Sequence, residues 1–575
     1  MKKFLNYLNK RDALIIILSI ILIVGQVWLE ITMPEFMQKV TILLSTNGGI
    51  GEILENGAYM LLCSLGSLAL SLAVGFFVAR LASNLSLRMR SRLYNQIALF
   101  SKQEIRKFST ASLVTRCTND VTQIQMLVAM GLQVLIKAPI LSVWAICTIV
   151  GKSWQWTVTT AVAVVFLLLF VGTIILICLP KFKVIQKQTD DLNRVTRESL
   201  TGMRIVHAFN AEDYQQEKFD GVNNALYKTH LHTTTALSFM APIMQMLTGG
   251  LSLTIYWVGA HIIKNSTNKI VLFGDMVTFM TYAMMIISSF ILLIVVFMQL
   301  PRAIISMRRI NEVVSTIPSV VEGEGVTTKE RGTVEFKGVN FKYPDGKELV
   351  LDNINLTIEK GETVAFIGST GSGKTTLVDL IPRFYDVTEG EVLVDGENVK
   401  KYKLKDLHDK IGYVSQKAML LSGTVFDNIS MGKDIEPKDV LTALEHAQAK
   451  NFVDKMEEKQ HSKIYQGGKN ISGGQKQRLS IARAIAKKPE FIIFDDSFSA
   501  LDYKTDRKLR KALDKELSDT TCLIVAQRIG TIKNADKIVV LDSGKIVGMG
   551  KHDELLNTCK VYKEIALSQL DKEEL

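Results

Sequence analysis

Six runs of apolar residues, at about 13–34, 58–79, 132–151, 157–179, 236–263 and 276–300, constrain this chain more than any other feature. Each holds about 20 residues or more, enough at 1.5 Å of rise per residue to cross a hydrocarbon core of about 30 Å. A bilayer core offers no partner for backbone N–H and C=O groups, so such runs must be helices. The loops set their direction. Lys2, Lys3, Lys10 and Arg11 precede the first run. Arg88, Arg90, Arg92, Lys102, Arg106, Lys107 and Arg116 lie between the second and third, and Lys181, Lys183, Lys187, Arg194, Arg197 and Arg204 between the fourth and fifth. The opposite loops carry only Lys39, Lys152, Lys264 and Lys269. Both termini are therefore expected in the cytoplasm. The two charged loops keep a helical period, which predicts membrane helices that continue beyond the bilayer.

The rest of the 575-residue chain reads as a mixed-charge globular domain, and a chain of this length needs at least two domains. The net charge of +11 would suit nucleic acid, but the positive-inside loop asymmetry explains it without any such partner, and none is expected. Six cysteines, none at metal or redox spacing, read as structural thiols. The first run is too long for a cleavable signal peptide.

Gln26 and Glu30 stand inside the first run, where a carboxylate marks a candidate cavity or gate. Glu30 lies 17 residues from Ala13, or about 26 Å along a helix. That favours a hydrated position near the outer interface, with the gate role as the alternative. Lys137, just before Pro139, is expected to snorkel to the inner interface. Runs five and six are rich in Met, as filler between helices or as an adaptable surface.

In the second half, "ETVAFIGSTGSGKTTLVDLI" is a buried strand, a glycine-rich turn and a helix start. Gly368, Ser369, Thr370, Gly371, Ser372, Gly373, Lys374 and Thr375 fit the phosphate-binding loop, with Thr376 next. Its backbone N–H groups wrap phosphate, Lys374 reaches the β- and γ-phosphates, and the Thr375 hydroxyl binds Mg²⁺. ATP and Mg²⁺ are the cofactors this predicts. Asp495 ends the apolar strand of "FIIFDDSFSALD" and is the second expected contributor to the metal site. Ser472, Gly473, Gly474 and Gln475 open a further helix and offer another amide-rich anion site, useful if it faces a nucleotide held by a second subunit.

Together these motifs resemble an ATP-binding-cassette (ABC) exporter half-transporter. The resemblance implies an all-α six-helix transmembrane domain of the type I exporter fold over 1–320 and a linker over 321–332. An α/β P-loop nucleotide-binding domain over 333–575 completes it. It further implies that Tyr343 stacks on adenine and that Gln416 is the Q-loop glutamine, touching Mg²⁺. Ser472–Gln475 would be the signature acting in trans, with Ile471 for the usual leucine, and Ser499 and Asp502 would belong to the D-loop. The segments "TASLVTRCTNDV" and "FNAEDYQQEKF" resemble intracellular loops that dock on the nucleotide-binding domains.

Three positions depart from the family pattern. Asp496 stands where the catalytic glutamate is expected, and Gln527 where the switch histidine is expected. Tyr465 and Gln466 stand where a glutamate usually precedes the signature. Asp is one methylene shorter than Glu, about 1.5 Å, and a misplacement of that order costs about a hundredfold in rate. Gln527 can donate a hydrogen bond to a phosphate but cannot become a cation. Two poor sites and two intact signatures would serve a homodimer badly. The expectation is therefore one half of a heterodimeric multidrug exporter in a bacterial plasma membrane, moving amphipathic compounds outward. The alternatives are a lipid flippase or peptide exporter, or an ATP-gated membrane regulator without turnover.

Overall fold

The computed structural model describes residues 7–150, 153–328, 330–499, 501–516 and 519–569. Lys2, Lys3 and Lys152, used above for orientation, and Ala500 of the D-loop lie outside them. The described chain divides into two compact units, Met1–Asn95 with Val114–Ser315, and Gln96–Leu113 with Thr316–Leu575.

The first unit is helical. Its long helices are α1 (Lys10–Ser45) and α2 (Ile50–Ala98), and after a short α3 (Lys102–Phe108), α4 (Thr110–Val150), α5 (Trp154–Thr201), α6 (Glu212–Lys264) and α7 (Lys269–Val314); residues 96–98 of α2 and 110–113 of α4 fall with α3 in the second unit. All six long helices are apolar enough to cross a membrane, and each extends past the apolar run that predicts it. Leu61, Leu65, Leu68, Leu72 and Phe76 form an exposed stripe along α2, while Val74, Val78 and Leu81 are buried. That is the pattern of a helix with lipid on one side and protein on the other. The core joins Ile23, Val27 and Ile31 of α1 to Val78, Ala145, Trp156, Phe279 and Ile286.

Pro34 interrupts the α1 ladder without ending the helix. A proline removes one N–H and crowds the preceding turn, leaving carbonyls in need of donors. The Tyr282 hydroxyl of α7 supplies one, donating to the Ile31 carbonyl at 2.8 Å. One turn before this proline the polar groups of α1 gather. Glu30 Oε1 accepts from Gln26 Nε2 at 2.9 Å, Ser67 Oγ of α2 at 3.1 Å and Lys137 Nζ of α4 at 2.8 Å. Lys137 therefore does not snorkel away: it turns to Glu30. An ion pair with a carboxylate wins over reaching for headgroups, because each charge would otherwise stand unpaired beside the bundle. Nor does α1 end near Glu30; it runs on to Ser45.

Within the same unit, Arg116 of "TASLVTRCTNDV" is buried and donates to the Arg309 carbonyl at 2.7 Å and the Glu312 carboxylate at 2.9 Å. Asp120 accepts from Ser306 Oγ at 2.9 Å. These residues brace α4 against α7. Residues 209–219 also belong to this unit.

The second unit is α/β. A four-stranded antiparallel sheet, in the order β2-β1-β4-β5, holds β1 (Val334–Phe341), β2 (Leu351–Ile358), β4 (Glu389–Val394) and β5 (Glu397–Asn398). A six-stranded sheet runs β12-β11-β3-β10-β9-β6. Its strands are β3 (Thr363–Gly368), β6 (Ile411–Val414), β9 (Phe491–Asp495), β10 (Thr521–Val525), β11 (Lys537–Asp542) and β12 (Lys545–Gly550), all parallel except β12. A short pair, β7 (Gly423–Thr424) and β8 (Lys463–Ile464), stands apart. β9 and β10 are buried along their whole length, as continuous apolar runs in a parallel sheet should be.

Candidate nucleotide site

The C-terminal ends of β3, β10, β9 and β6 are neighbours in the large sheet, so four loops emerge side by side. This edge of a parallel sheet is where α/β folds bind ligands. From β3 the chain turns through Ser369–Gly373 into α8 (Lys374–Leu380). Gly373 has φ +97°, a left-handed conformation, and a Cβ there would meet Leu351 Cδ2 at 2.8 Å and the Val350 carbonyl oxygen at 3.0 Å. A Cβ on Gly368 would meet the Leu541 carbonyl oxygen at 2.0 Å, so this turn tolerates no side chain at either position. Gly371 instead faces open space, and Ser369, Thr370 and Thr375 are exposed around it. The loop is thus tight at its root and open at its mouth, as an amide cradle for phosphate requires.

Lys374 is buried and donates to the carbonyls of Gly368 and Ser369 at 2.9 and 2.7 Å and to Ser372 Oγ at 3.3 Å. Burial pushes its ammonium pKa down, and Asp496 and Asp495 pull it back. Tyr343 rests edge-on against Phe341 and Tyr385 and shares a 2.9 Å hydrogen bond with Thr376 Oγ1, which ties the expected adenine-stacking ring to α8.

Thr375 Oγ1 donates to Asp495 Oδ1 at 2.7 Å. Burial pushes the Asp495 carboxyl up from the usual aspartate range; the Thr375 hydrogen bond opposes this, Asp379 adds to it, Lys102 opposes it and Asp496 adds again. A hydroxyl and a buried carboxylate meeting on hard oxygen donors fit a Mg²⁺ ion, whose charge would relieve that burial. Bound with ATP, such an ion would neutralise phosphate charge. Thr375 and Asp495 would hold it. Gln416 is placed differently, its Nε2 donating to Asp496 Oδ2 at 3.1 Å.

Gln527, following β10, donates to the same Asp496 Oδ2 at 2.9 Å. Two side-chain amides therefore clamp one oxygen of the short carboxylate. Burial pushes the Asp496 carboxyl up, countered by the Gln416 hydrogen bond, then Lys374 and Arg528. The Asp496 backbone is also left-handed, with φ +47°, and its N–H donates to the Val525 carbonyl at 3.0 Å. Asp tolerates that conformation better than a longer side chain does. Here lies a local reason for aspartate that spacing alone does not disclose.

Ser499 Oγ closes the turn on the Asp496 carbonyl at 2.9 Å, and Asp502 Oδ1 accepts from the Thr505 N–H at 2.9 Å. Ser472 caps α9 (Gly473–Ala486), accepting from Gln475 N at 3.3 Å while Gln475 Oε1 accepts from Ser472 N at 2.8 Å. Ser472 and Gly473 are exposed, and among the described residues no hydrogen bond joins the Ser472–Gln475 turn to the loop 368–375. The structure thus brings together Lys374, Thr375, Asp495, Asp496, Gln416 and Gln527 and leaves the signature turned to solvent.

Two residues that motif reading misses complete the site. Asp379, one helical turn after Thr375, is buried and accepts from the Tyr413 hydroxyl at 2.9 Å; the same hydroxyl lies 3.5 Å from Asp495 Oδ2. The spacing of four between Thr375 and Asp379 was the available signal, since such residues share a helix face.

Comparison with known proteins gives a consistent picture. The ABC transporter family matches residues 351–499, and the ABC transporter transmembrane region matches residues 16–290. An uncharacterized ABC transporter ATP-binding protein of Mycobacterium tuberculosis is 37% identical over 91% of this chain and 90% of its own length. An ATP-dependent lipid A-core flippase of Syntrophus aciditrophicus is 34% identical over 81% of this chain and 78% of its own. A putative multidrug export ATP-binding/permease protein of Bacillus subtilis is 31% identical over 85% and 84%. A solved bacterial Atm1-family ABC exporter with ATP bound superposes with a TM-score of 0.77 over 98% of this chain and 99% of that one, at 21% identity, a likeness of fold alone.

Proposed function

The chain belongs to the ABC transporter family, an exporter with fused membrane and ATP-binding halves, and from that premise we propose that it is the hydrolysis-impaired half of a heterodimeric multidrug exporter. The observation that carries this reading is the clamp on Asp496. A carboxylate too short for the base position has one oxygen occupied by Gln416 and Gln527, 3.1 and 2.9 Å away. Neither amide can take up a proton as a histidine would. Lys374, Thr375 and Asp495 would still hold ATP and Mg²⁺, Tyr343 its base, and the exposed Ser472–Gln475 turn would serve a nucleotide on the partner. The partner would supply a glutamate and a histidine at the matching positions. Amphipathic small molecules would pass outward through the membrane half, with both termini on the cytoplasmic side of a bacterial plasma membrane.

The lipid-flippase relative supports a second reading, a homodimer that moves lipid. Purification decides between them. The heterodimer reading expects ATP turnover by this chain alone to be at least about a hundredfold slower than by its complex with a co-expressed second half-transporter. Equal turnover would favour the homodimer. ATP binding without turnover in every complex would instead identify a regulator.

A further inference from the structure

Lys102 lies in the stretch Gln96–Leu113, which folds as part of the nucleotide-binding unit. Its position is held from both sides. Ser101 and Glu104 cap α3 reciprocally, Glu104 Oε2 accepting from Ser101 N at 2.9 Å and Ser101 Oγ accepting from Gln103 N at 3.1 Å. Glu104 Oε1 accepts from the Ser319 N–H at 3.2 Å. So fixed, Lys102 Nζ lies 2.9 Å from both carboxylate oxygens of Asp379 and 4.3 Å from the centre of the Phe384 ring.

Asp379 leads directly to the metal carboxylate. Tyr413 has one phenolic proton and two buried carboxylates to serve, Asp379 at 2.9 Å and Asp495 at 3.5 Å. A cation at Asp495 would satisfy that carboxylate, so the phenol would turn wholly to Asp379 and lessen its demand for Lys102. The cation would also repel the Lys102 ammonium, which one carboxylate and one phenol separate from Asp495. Hydrogen bonding and Coulomb repulsion act in the same direction.

We propose that Lys102 and the cation of the nucleotide site are antagonists across the Asp379–Tyr413–Asp495 relay, so that the stretch 96–113 senses whether Asp495 holds its ion. Lys102 is then a positioning residue, acting on the Asp495 carboxylate through Asp379 and Tyr413. Because coupling is reciprocal, releasing Lys102 must tighten the site's hold on the cation as much as the cation loosens Lys102. The inference rests on the reading of Thr375 and Asp495 as the Mg²⁺ ligands.

The test uses the full chain in lipid nanodiscs, titrated with Mg²⁺ at fixed fluorescent ATP analogue. Lys102→Met and Lys102→Gln should lower the half-saturating Mg²⁺ concentration about fivefold or more, whereas Lys102→Arg should stay at the wild-type value. In the wild type, hydrogen exchange across 96–113 should quicken when Mg²⁺ is added to the ATP-bound protein. A lysine that only anchors the stretch would lower thermal stability and leave the Mg²⁺ titration unmoved, which overturns the proposal. So does exchange that slows or stays the same. Wild-type nucleotide binding that needs no Mg²⁺ would defeat the metal-site reading itself, a separately recognisable result.

Discussion

Replacing Lys137 with methionine removes one charge of the Glu30 cluster while keeping chain length and apolar bulk. The ammonium lies 2.8 Å from Glu30 Oε1, and the two side chains are 23% and 21% exposed. At an effective dielectric constant of about 20, that separation gives about 6 kcal/mol of gross Coulomb attraction. Desolvation of both groups takes back most of it. Exposed pairs contribute about 0–1 kcal/mol and breaking fully buried ones costs about 3–5 kcal/mol. This pair, mostly but not wholly enclosed, should cost about 2 kcal/mol when Lys137 is lost. Gln26 and Ser67 still donate to Glu30 in the variant but bring no charge. Thermal unfolding in nanodiscs, followed by tryptophan fluorescence, should fall by roughly 3 °C. Adding Glu30→Gln should recover most of that loss, since no unpaired charge remains. If the double variant instead loses the sum of the two single losses, the side chains do not act as a pair.

Other outcomes follow from the same geometry. The double change Asp496→Glu with Gln527→His should raise this chain's own ATP turnover only severalfold, since the left-handed backbone at 496 strains a longer side chain by about 1 kcal/mol; a rise of about a hundredfold would show that side-chain identity alone limits the site. Gly474→Asp should abolish turnover by the complex formed with a co-expressed second half-transporter while fluorescent-ATP binding to this chain's own loop persists; loss of that binding with turnover intact would place the signature in cis. His552 is buried against Tyr562, its Nδ1 2.7 Å from the hydroxyl, and burial holds its pKa below the ordinary histidine value, helped by Lys533. Its neutral form is favoured in the folded state, so the stability it contributes is complete above about pH 6.5 and is lost as pH falls through the folded pKa; a His552→Gln variant should show a shallower acid-side decline in thermal unfolding.

Much of this architecture was legible because it rests on local chemistry. The six helices follow from apolar run length, and the loop at 368–375 from glycines whose Cβ positions are filled by Leu541 and Val350. Three things were not legible. The pairing of Glu30 with Lys137 joins residues 107 apart in sequence, and counting along one helix cannot reveal it. The convergence of Gln416 and Gln527 on one oxygen depends on the order of strands in the sheet, which places the loops after β6 and β10 on either side of the one after β9. Lys102 reads as one of several charges in a cytoplasmic loop, and only the folding of 96–113 with the nucleotide-binding unit brings it to Asp379.

Whether the two nucleotide sites of the complex differ is decided by a single comparison. In the complex purified with its second half-transporter, ATP turnover is measured after Asp496→Asn in this chain and, separately, after Glu→Gln at the matching position of the partner. Loss of the partner's general base should cost about a hundredfold or more, while Asp496→Asn should change turnover less than about threefold, because its carboxylate already lies under two amides. Equal losses from the two changes would mean that both sites hydrolyse alike, and the asymmetric account would be wrong.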